Sequence, residues 1–254
     1  MRLSPRQTLI GLALAAVIGV PSLLALYMSL GLVFAPPWPV PATSHHVTPL
    51  IADALWARAE GGTATDLNPF HPANMAQLVV CLAQAETEGP GPRRDGAQAE
   101  CRRHHMPAFE AVIYVSELHM RAAGFTEPGF RKGHAKFVTT IWLARSWNKS
   151  ELIQTLAERG EFGMGFRGLE PAAHGYFGRS SAEMTLPQAA MVGALIGGEG
   201  PDPWCDPAGA AAMRHRILEG MRDNNAIDES AFLAADRSEL GLASPAANHP
   251  SCEG

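Results

Sequence analysis

Hydrophobic positions recur at helical spacing along most of the chain, and no convincing run alternates as a strand would. In the helix predicted to begin at Pro107, for example, Phe109, Ile113, Ser116 and Met120 share one face. Residues typical of helix N-termini, together with the same hydrophobic spacing, predict further helices. These begin near Thr48, Asn74, Gly133, Lys149, Leu186, Pro207 and Asp228. The pattern therefore predicts an all-α protein.

Several predicted helix ends have residues that fix their boundaries. Asn148 with Glu151, and Thr185 with Gln188, have the spacing of capping boxes, in which side chain and backbone bond reciprocally. The segment "YFG", Tyr176–Gly178, places two aromatic residues in the predicted core, and its glycine is expected to end a helix with a positive φ.

One segment is too apolar for a surface helix. From Thr8 to Phe34 the sequence contains no charged residue, and about 20 apolar residues suffice to cross a bilayer. A cleaved signal peptide is the alternative, but its apolar core is shorter and ends at an A-x-A-like site. Arg2 and Arg6 precede the run, which predicts a single span with the N-terminus inside. We therefore expect the protein in the cytoplasmic (inner) membrane, with its domain in the periplasm or outside.

These features divide the chain into four parts. Residues 1–35 are predicted to form a cytoplasmic tip and a transmembrane anchor, and residues 36–47 a proline-rich spacer. Residues 48–240 are predicted to be the helical domain, and residues 241–254 a tail. The net charge of −5 and the pI near 6 provide no basic field, so nucleic acid is excluded as a partner.

Four cysteines fit an oxidising compartment. They show neither CxxC spacing nor a histidine pattern for zinc, so we predict no metal site. Three pairings are open, and free buried thiols are the alternative. We favour Cys81–Cys101, which closes the loop predicted at Gly89–Gly96, and Cys205–Cys252, which pins the tail.

A basic segment, Arg214-His215-Arg216, is predicted to lie on the solvated face of its helix.

Three segments occur in an order and spacing that we recognise. They are "NKSELIQTLAERGEFG" (Asn148–Gly163), "PAAHGYFGRSSAEMTLPQAAMVGAL" (Pro171–Leu195) and, after the turn "GPDPWCDP", "MRHRILEGM" (Met213–Met221). From about Glu110 to Ile227 the chain resembles the peptidoglycan glycosyltransferases of family 51, the transglycosylase domains of penicillin-binding proteins and their monofunctional relatives.

The resemblance implies a lysozyme-like helical fold on a membrane anchor. It also implies a substrate, the lipid-linked disaccharide precursor, whose units the family joins into glycan strands. In that reaction a glutamate is the general base and cationic side chains stabilise the leaving pyrophosphate. No cofactor is implied, and only a divalent cation on the substrate pyrophosphate is left open. Other envelope proteins are further expected partners.

The chain departs from the family where the chemistry lies. The family's "GGSTITQQLxKN" falls on Glu110–Arg121, where only Leu118 is kept, and the acid of its "RKxxE" motif falls on Lys136. The nearest counterparts of the catalytic glutamate are Glu86 and Glu88, which would otherwise be solvated carboxylates at a helix end. Arg121 and Lys136 are the candidate pyrophosphate contacts.

Three functions remain open at this point. The first is a divergent glycosyltransferase, for which we expect Glu86 to face Arg121 or Lys136 across a cleft. The second is a non-catalytic relative that binds glycan, precursor or an envelope protein as a scaffold. The third is a lytic transglycosylase, which cleaves glycan with a single glutamate.

Overall fold

The protein is helical throughout the part of the chain that the computed structural model describes. This part comprises residues 35–43, 47–63, 72–198 and 200–245, with Leu67, Cys252 and five positions between 22 and 33. Its only strand-like feature is an isolated antiparallel bridge between Glu161 and Arg167. From residue 47 onward the α-helices are α1 (Pro49–Arg58), α2 (Pro72–Ala85), α3 (Pro92–His105), α4 (Phe109–Ala122), α5 (Phe130–Ser146), α6 (Lys149–Arg159), α7 (Leu169–Phe177), α8 (Leu186–Leu195), α9 (Pro207–Asp223) and α10 (Glu229–Arg237).

Helix α8 lies at the centre of the main core and is buried from Pro187 to Leu195. It packs against α1, α9 and α10. Its small residues allow close approach, because a Cβ on Gly193 would lie only 3.0 Å from the backbone oxygen of Ala54 in α1. The run of small and apolar residues in this segment therefore specifies a tightly surrounded central helix.

The helix boundaries agree with their sequence signals. The Asn148–Glu151 capping box is formed at the start of α6, and the Gln188 side chain accepts a hydrogen bond from the Thr185 backbone at the start of α8. Tyr176 and Phe177 are buried, and Gly178 has a φ of 64°. These predictions are confirmed.

Helices α2 and α3 form a hairpin with a small core of its own, built from Leu78, Ala85, Cys101 and Met106. The structure contains both favoured disulfides, Cys81–Cys101 within this hairpin and Cys205–Cys252 at the tail. The loop predicted at Gly89–Gly96 is wrong in its second half, because α3 begins at Pro92. Proline suits the first turn of a helix, because backbone N–H groups there have no hydrogen-bond partner within the helix and the one that proline lacks is not needed.

Arg214 in α9 corrects another expectation, since it is buried and not solvated. Its guanidinium donates hydrogen bonds to the backbone oxygens of Asp236 and Ser238 at the end of α10. Those carbonyls belong to a helix terminus and need external donors. The arginine therefore ties α9 to α10, while its neighbour His215 contacts the Asp236 side chain from the surface.

The proline-rich spacer lies against the helical domain over residues 35–43. Trp38 stacks on Trp142 of α5 with ring centroids 4.8 Å apart. The Pro37 carbonyl accepts a hydrogen bond from His119, and the Ala42 N–H donates one to Thr155. The spacer is therefore a fixed strap across α4, α5 and α6.

The predicted span Thr8–Phe34 lies outside the described residues except for isolated positions. Within the described part of the chain, no helix is both long and apolar enough to cross a membrane.

Candidate functional site

The two candidate glutamates lie on the disulfide-linked hairpin, away from the candidate cations. Glu86 begins a short 3₁₀ turn after α2 and is 58% exposed. Its carboxylate accepts a hydrogen bond from Gln98 at 2.7 Å and pairs with Arg94 at 3.4 Å, both on α3. Glu88 is exposed at the end of the same turn. The structure therefore does not bring Glu86 to Arg121 or Lys136.

Instead, Arg121 and Lys136 meet around a different acid, Glu117 of α4. One carboxylate oxygen lies 2.7 Å from Lys132 Nζ and 3.3 Å from Arg121 Nε, and the other lies 3.3 Å from Lys136 Nζ. Glu117 and Arg121 are one turn apart on α4, and the two lysines are one turn apart on α5. The packing of α4 on α5 thus places three cations around one carboxylate. We call these four residues the cationic cluster.

A second carboxylate extends the network. Glu161, which follows α6, pairs with Arg121 and with Arg167, both at 3.4 Å. Its backbone N–H donates a hydrogen bond to the Tyr114 hydroxyl of α4 at 2.8 Å. Burial raises the pKa of that phenol, so the hydroxyl stays neutral and keeps the 161–167 turn on α4. Four cations therefore face only two carboxylates in this network, so positive charge is in excess at this surface.

The Glu117 side chain is only 17% exposed. Burial raises the pKa of its carboxyl, but the hydrogen bonds and charges of Lys132 and Lys136 outweigh burial and hold the pKa below its usual range. Lys132 is equally enclosed, at 17% exposure, whereas Arg121 is half exposed. The cluster is therefore an ionised, partly open site whose cations face both Glu117 and solvent.

Two residues of the cationic cluster, Glu117 and Lys136, stand at positions of the family motifs. Glu117 stands at the second glutamine of "QQ", where the family has no charge, and Lys136 stands at the acid of "RKxxE". The 3.3 Å contact between their side chains shows that the two positions are neighbours in space. A carboxylate, that of Glu117, therefore lies beside the Lys136 position, and it belongs to α4 and not to α5.

Sequence reasoning identified two of the four cluster residues and missed Glu117 and Lys132. A signal existed, because Glu117 lies four residues before Arg121 and Lys132 lies four residues before Lys136. Such spacing puts each pair on one helix face. Only the packing of α4 on α5, which spacing does not provide, joins the two faces.

Chemically, the cluster suits a phosphate-bearing ligand. Lysine and arginine donors supply charge-assisted hydrogen bonds to phosphate oxygens. The Ser116 hydroxyl, buried beside the cluster, donates to the Lys136 backbone oxygen at 3.0 Å and fixes α5 on α4. Among the described residues, no group of three or more histidine, cysteine or acidic side chains is arranged to hold a metal ion.

Comparison with known proteins identifies the matched region. Residues 125–222 match the family described as Transglycosylase. Penicillin-binding protein 1A of Mycobacterium tuberculosis is 27% identical over 115 residues, which cover 45% of this chain and 14% of that protein. A biosynthetic peptidoglycan transglycosylase of Acinetobacter baumannii is 37% identical over 73 residues, 29% of this chain and 30% of that protein. One from Marinomonas is 38% identical over 56 residues, 22% of this chain and 25% of that protein.

The alignments thus cover less than a third of each of these relatives. The matched residues include α5 with Lys132 and Lys136, the "YFG" segment and nearly all of α9. The α2–α3 hairpin and Glu117 precede them. Over residues 125–222 the chain is therefore similar to the Transglycosylase family, and over shorter stretches to biosynthetic peptidoglycan transglycosylases.

Proposed function

We propose that this protein is a membrane-anchored, lysozyme-like relative of the peptidoglycan glycosyltransferases that binds the lipid-linked disaccharide precursor without polymerising it. The observation that carries the proposal is the cationic cluster, in which the enclosed acid Glu117 is bonded to Lys132, Lys136 and Arg121. The precursor's pyrophosphate is the part that these cations would hold.

The charge balance supports a polyanionic ligand. Arg121 and Arg167 are 51% and 80% exposed, so their remaining donors are accessible to a second anion. A pyrophosphate offers several acceptor oxygens and can contact cations from α4 and α5 together. Charge-assisted bonds of this kind contribute about 1.5–3 kcal/mol each.

The state of the acids argues against polymerisation. A general base works best when its pKa lies near the operating pH, whereas the lysines hold the pKa of Glu117 below its usual range. Glu86 lies on the hairpin and is bonded to Gln98 and Arg94. Neither carboxylate is therefore a suitable base beside the cationic cluster. The same reasoning disfavours a lytic transglycosylase, whose acid requires a raised pKa.

The strap supports a location beside a membrane. Pro37 is bonded to His119, which lies two residues from both Glu117 and Arg121 on α4. Pro37 also lies three residues after Phe34, the end of the predicted span, and three residues reach at most about 10 Å. A span ending there would hold the cluster near the headgroups, where a lipid-linked pyrophosphate lies. The two disulfides support a domain outside the cytoplasm.

A binding measurement on the full chain in detergent tests the proposal. Lipid-linked disaccharide pyrophosphate is titrated into the wild type, into the double variant Lys132→Ala/Lys136→Ala and into Arg145→Ala. Arg145 is an exposed cation on the same helix and serves as the matched control. We expect the double variant to bind at least about tenfold more weakly, which is a loss of about 1.4 kcal/mol. Equal binding by the double variant, or by a lipid without pyrophosphate, would overturn the proposal.

A further inference from the structure

A concave site lies between the disulfide-linked hairpin and the main body. It is a cleft of about 990 Å³, formed by the last turns of α1, α3 and α9 with residues 60–63 and Pro107. None of the cationic-cluster residues lines it. Pro107, which lines the cleft, lies two residues before α4, and Glu117 lies ten residues after Pro107. At the rise of an α-helix, ten residues separate the two by about 15 Å. The cleft is therefore separate from the cationic cluster.

Three helix C-termini meet at this cleft. Arg58 ends α1, His104 lies in the last turn of α3, and Asp223 ends α9. Helix C-termini carry partial negative charge. Four carboxylates also line the cleft, namely those of Glu60, Glu100, Glu219 and Asp223. Three of these already contact a basic side chain, Glu100 that of Arg103, Glu219 that of His215 and Asp223 that of Arg222. This combination favours a ligand that carries an ammonium group.

The cleft also presents cations that can receive a carboxylate. Arg58 and Arg216 both line it and are exposed. Neither forms an ion pair with any residue that the structure describes, whereas Arg103 nearby is paired with Glu100 at 2.7 Å. Arginine suits a carboxylate because its planar donors bind both oxygens. The cleft thus offers negative and positive partners within one concave surface.

Part of its lining is apolar, with contributions from Ala57, Leu67, Pro107 and Ile217. The volume lies near the upper end of ligand sites, which run from about 300 to 1,000 Å³. The cleft can therefore enclose a short chain with apolar links between charged ends.

We infer that this cleft binds a zwitterionic peptide, one that presents a free ammonium group and a carboxylate. The inference rests on the proposed function in one respect, that the peptide is the peptide portion of peptidoglycan. The cationic cluster then holds the pyrophosphate end of a precursor, and the cleft holds peptide. The hairpin forms one wall of the cleft, so the Cys81–Cys101 disulfide helps to keep that wall in place.

The test measures binding of three soluble probes to the full chain in detergent: a disaccharide–peptide fragment, the free peptide, and the disaccharide alone. We expect the first two to bind and the third not to bind. Acetylating the peptide's amino groups removes the ammonium and should abolish binding. Arg216→Glu reverses an exposed charge that no described ion pair needs, and it should weaken peptide binding at least about tenfold.

Arg145→Glu, on α5 outside the cleft, is the control and should bind peptide as the wild type does. The inference is wrong if the disaccharide alone binds as well as the fragment, or if Arg216→Glu and acetylation leave peptide binding unchanged. Inorganic pyrophosphate binding, measured in parallel, separates the two sites. If Lys132→Ala/Lys136→Ala loses pyrophosphate binding but still binds peptide, the result supports both sites. If the wild type does not bind pyrophosphate at all, the proposed function is refuted, but the peptide inference is not.

Discussion

Replacing Glu117 with glutamine should increase the affinity of the cationic cluster for phosphate. The amide keeps the size of the side chain but removes the charge that now occupies Lys132, Lys136 and Arg121. An incoming anion must at present displace a carboxylate from these three contacts. In Glu117→Gln it meets cations that are already free of an internal competitor.

The distances give the expected magnitude. Three contacts of 2.7 to 3.3 Å involve an acid with 17% exposure. Solvent-accessible ion pairs contribute about 0.2–1 kcal/mol each, so the three together are worth about 0.6–3 kcal/mol. A gain of about 1.4 kcal/mol, in the lower half of that range, corresponds to about tenfold tighter binding. The same lost contacts should lower the free energy of unfolding by about 1–2 kcal/mol.

The assay is calorimetric titration with inorganic pyrophosphate at pH 7, at low and at high salt, because salt screens the attraction. Glu110→Gln is the matched control, since Glu110 is an exposed acid on the same helix. It should leave the affinity unchanged. If Glu117→Gln binds pyrophosphate as weakly as the wild type or more weakly, Glu117 does not compete for these cations and the reasoning fails.

Three further predictions concern stability. Because the folded pKa of Glu117 is lowered, its carboxylate stabilises the fold above the unfolded pKa and loses this effect as the pH falls through the folded pKa. The stability difference between wild type and Glu117→Gln should therefore be full at pH 7 and shrink in acid, as urea unfolding at each pH would show; a difference that grows in acid contradicts the sign. Cys81→Ser with Cys101→Ser opens a cross-link of 20 residues and should destabilise the hairpin by about 3 kcal/mol. Hydrogen exchange should then rise in α2 and α3 but not in α8. Arg214→Met leaves two carbonyls of the α10 terminus without donors and should cost about 2–4 kcal/mol in urea unfolding, whereas the exposed Arg216→Met should cost little.

The sequence was sufficient wherever a local pattern determines the structure. Capping boxes at Asn148 and Thr185 act within one turn of helix, so their spacing alone locates the helix starts. The "YFG" glycine needs a left-handed conformation that few other residues adopt readily. The all-α class follows in the same way, because helical periodicity repeats in nearly every segment.

Long-range packing accounts for what the sequence did not predict. Glu86 was the expected acid because it follows an apolar helix, but its position depends on the hairpin, which turns it towards Arg94 and Gln98. Glu117 was not recognised, since its role depends on two lysines that lie on another helix. Arg214 looks like a surface residue until α10 places its last carbonyls against it.

Turnover of the lipid-linked disaccharide is the measurement that tests the central claim most directly. The purified full chain and an active biosynthetic peptidoglycan transglycosylase are incubated side by side with the same precursor in the same detergent, and glycan polymer is separated by length. The account predicts polymer from the active enzyme and none from this protein, although it binds the precursor. Polymer made by the wild type and lost in Glu86→Gln or Glu117→Gln would show that the site is catalytic and would contradict the account.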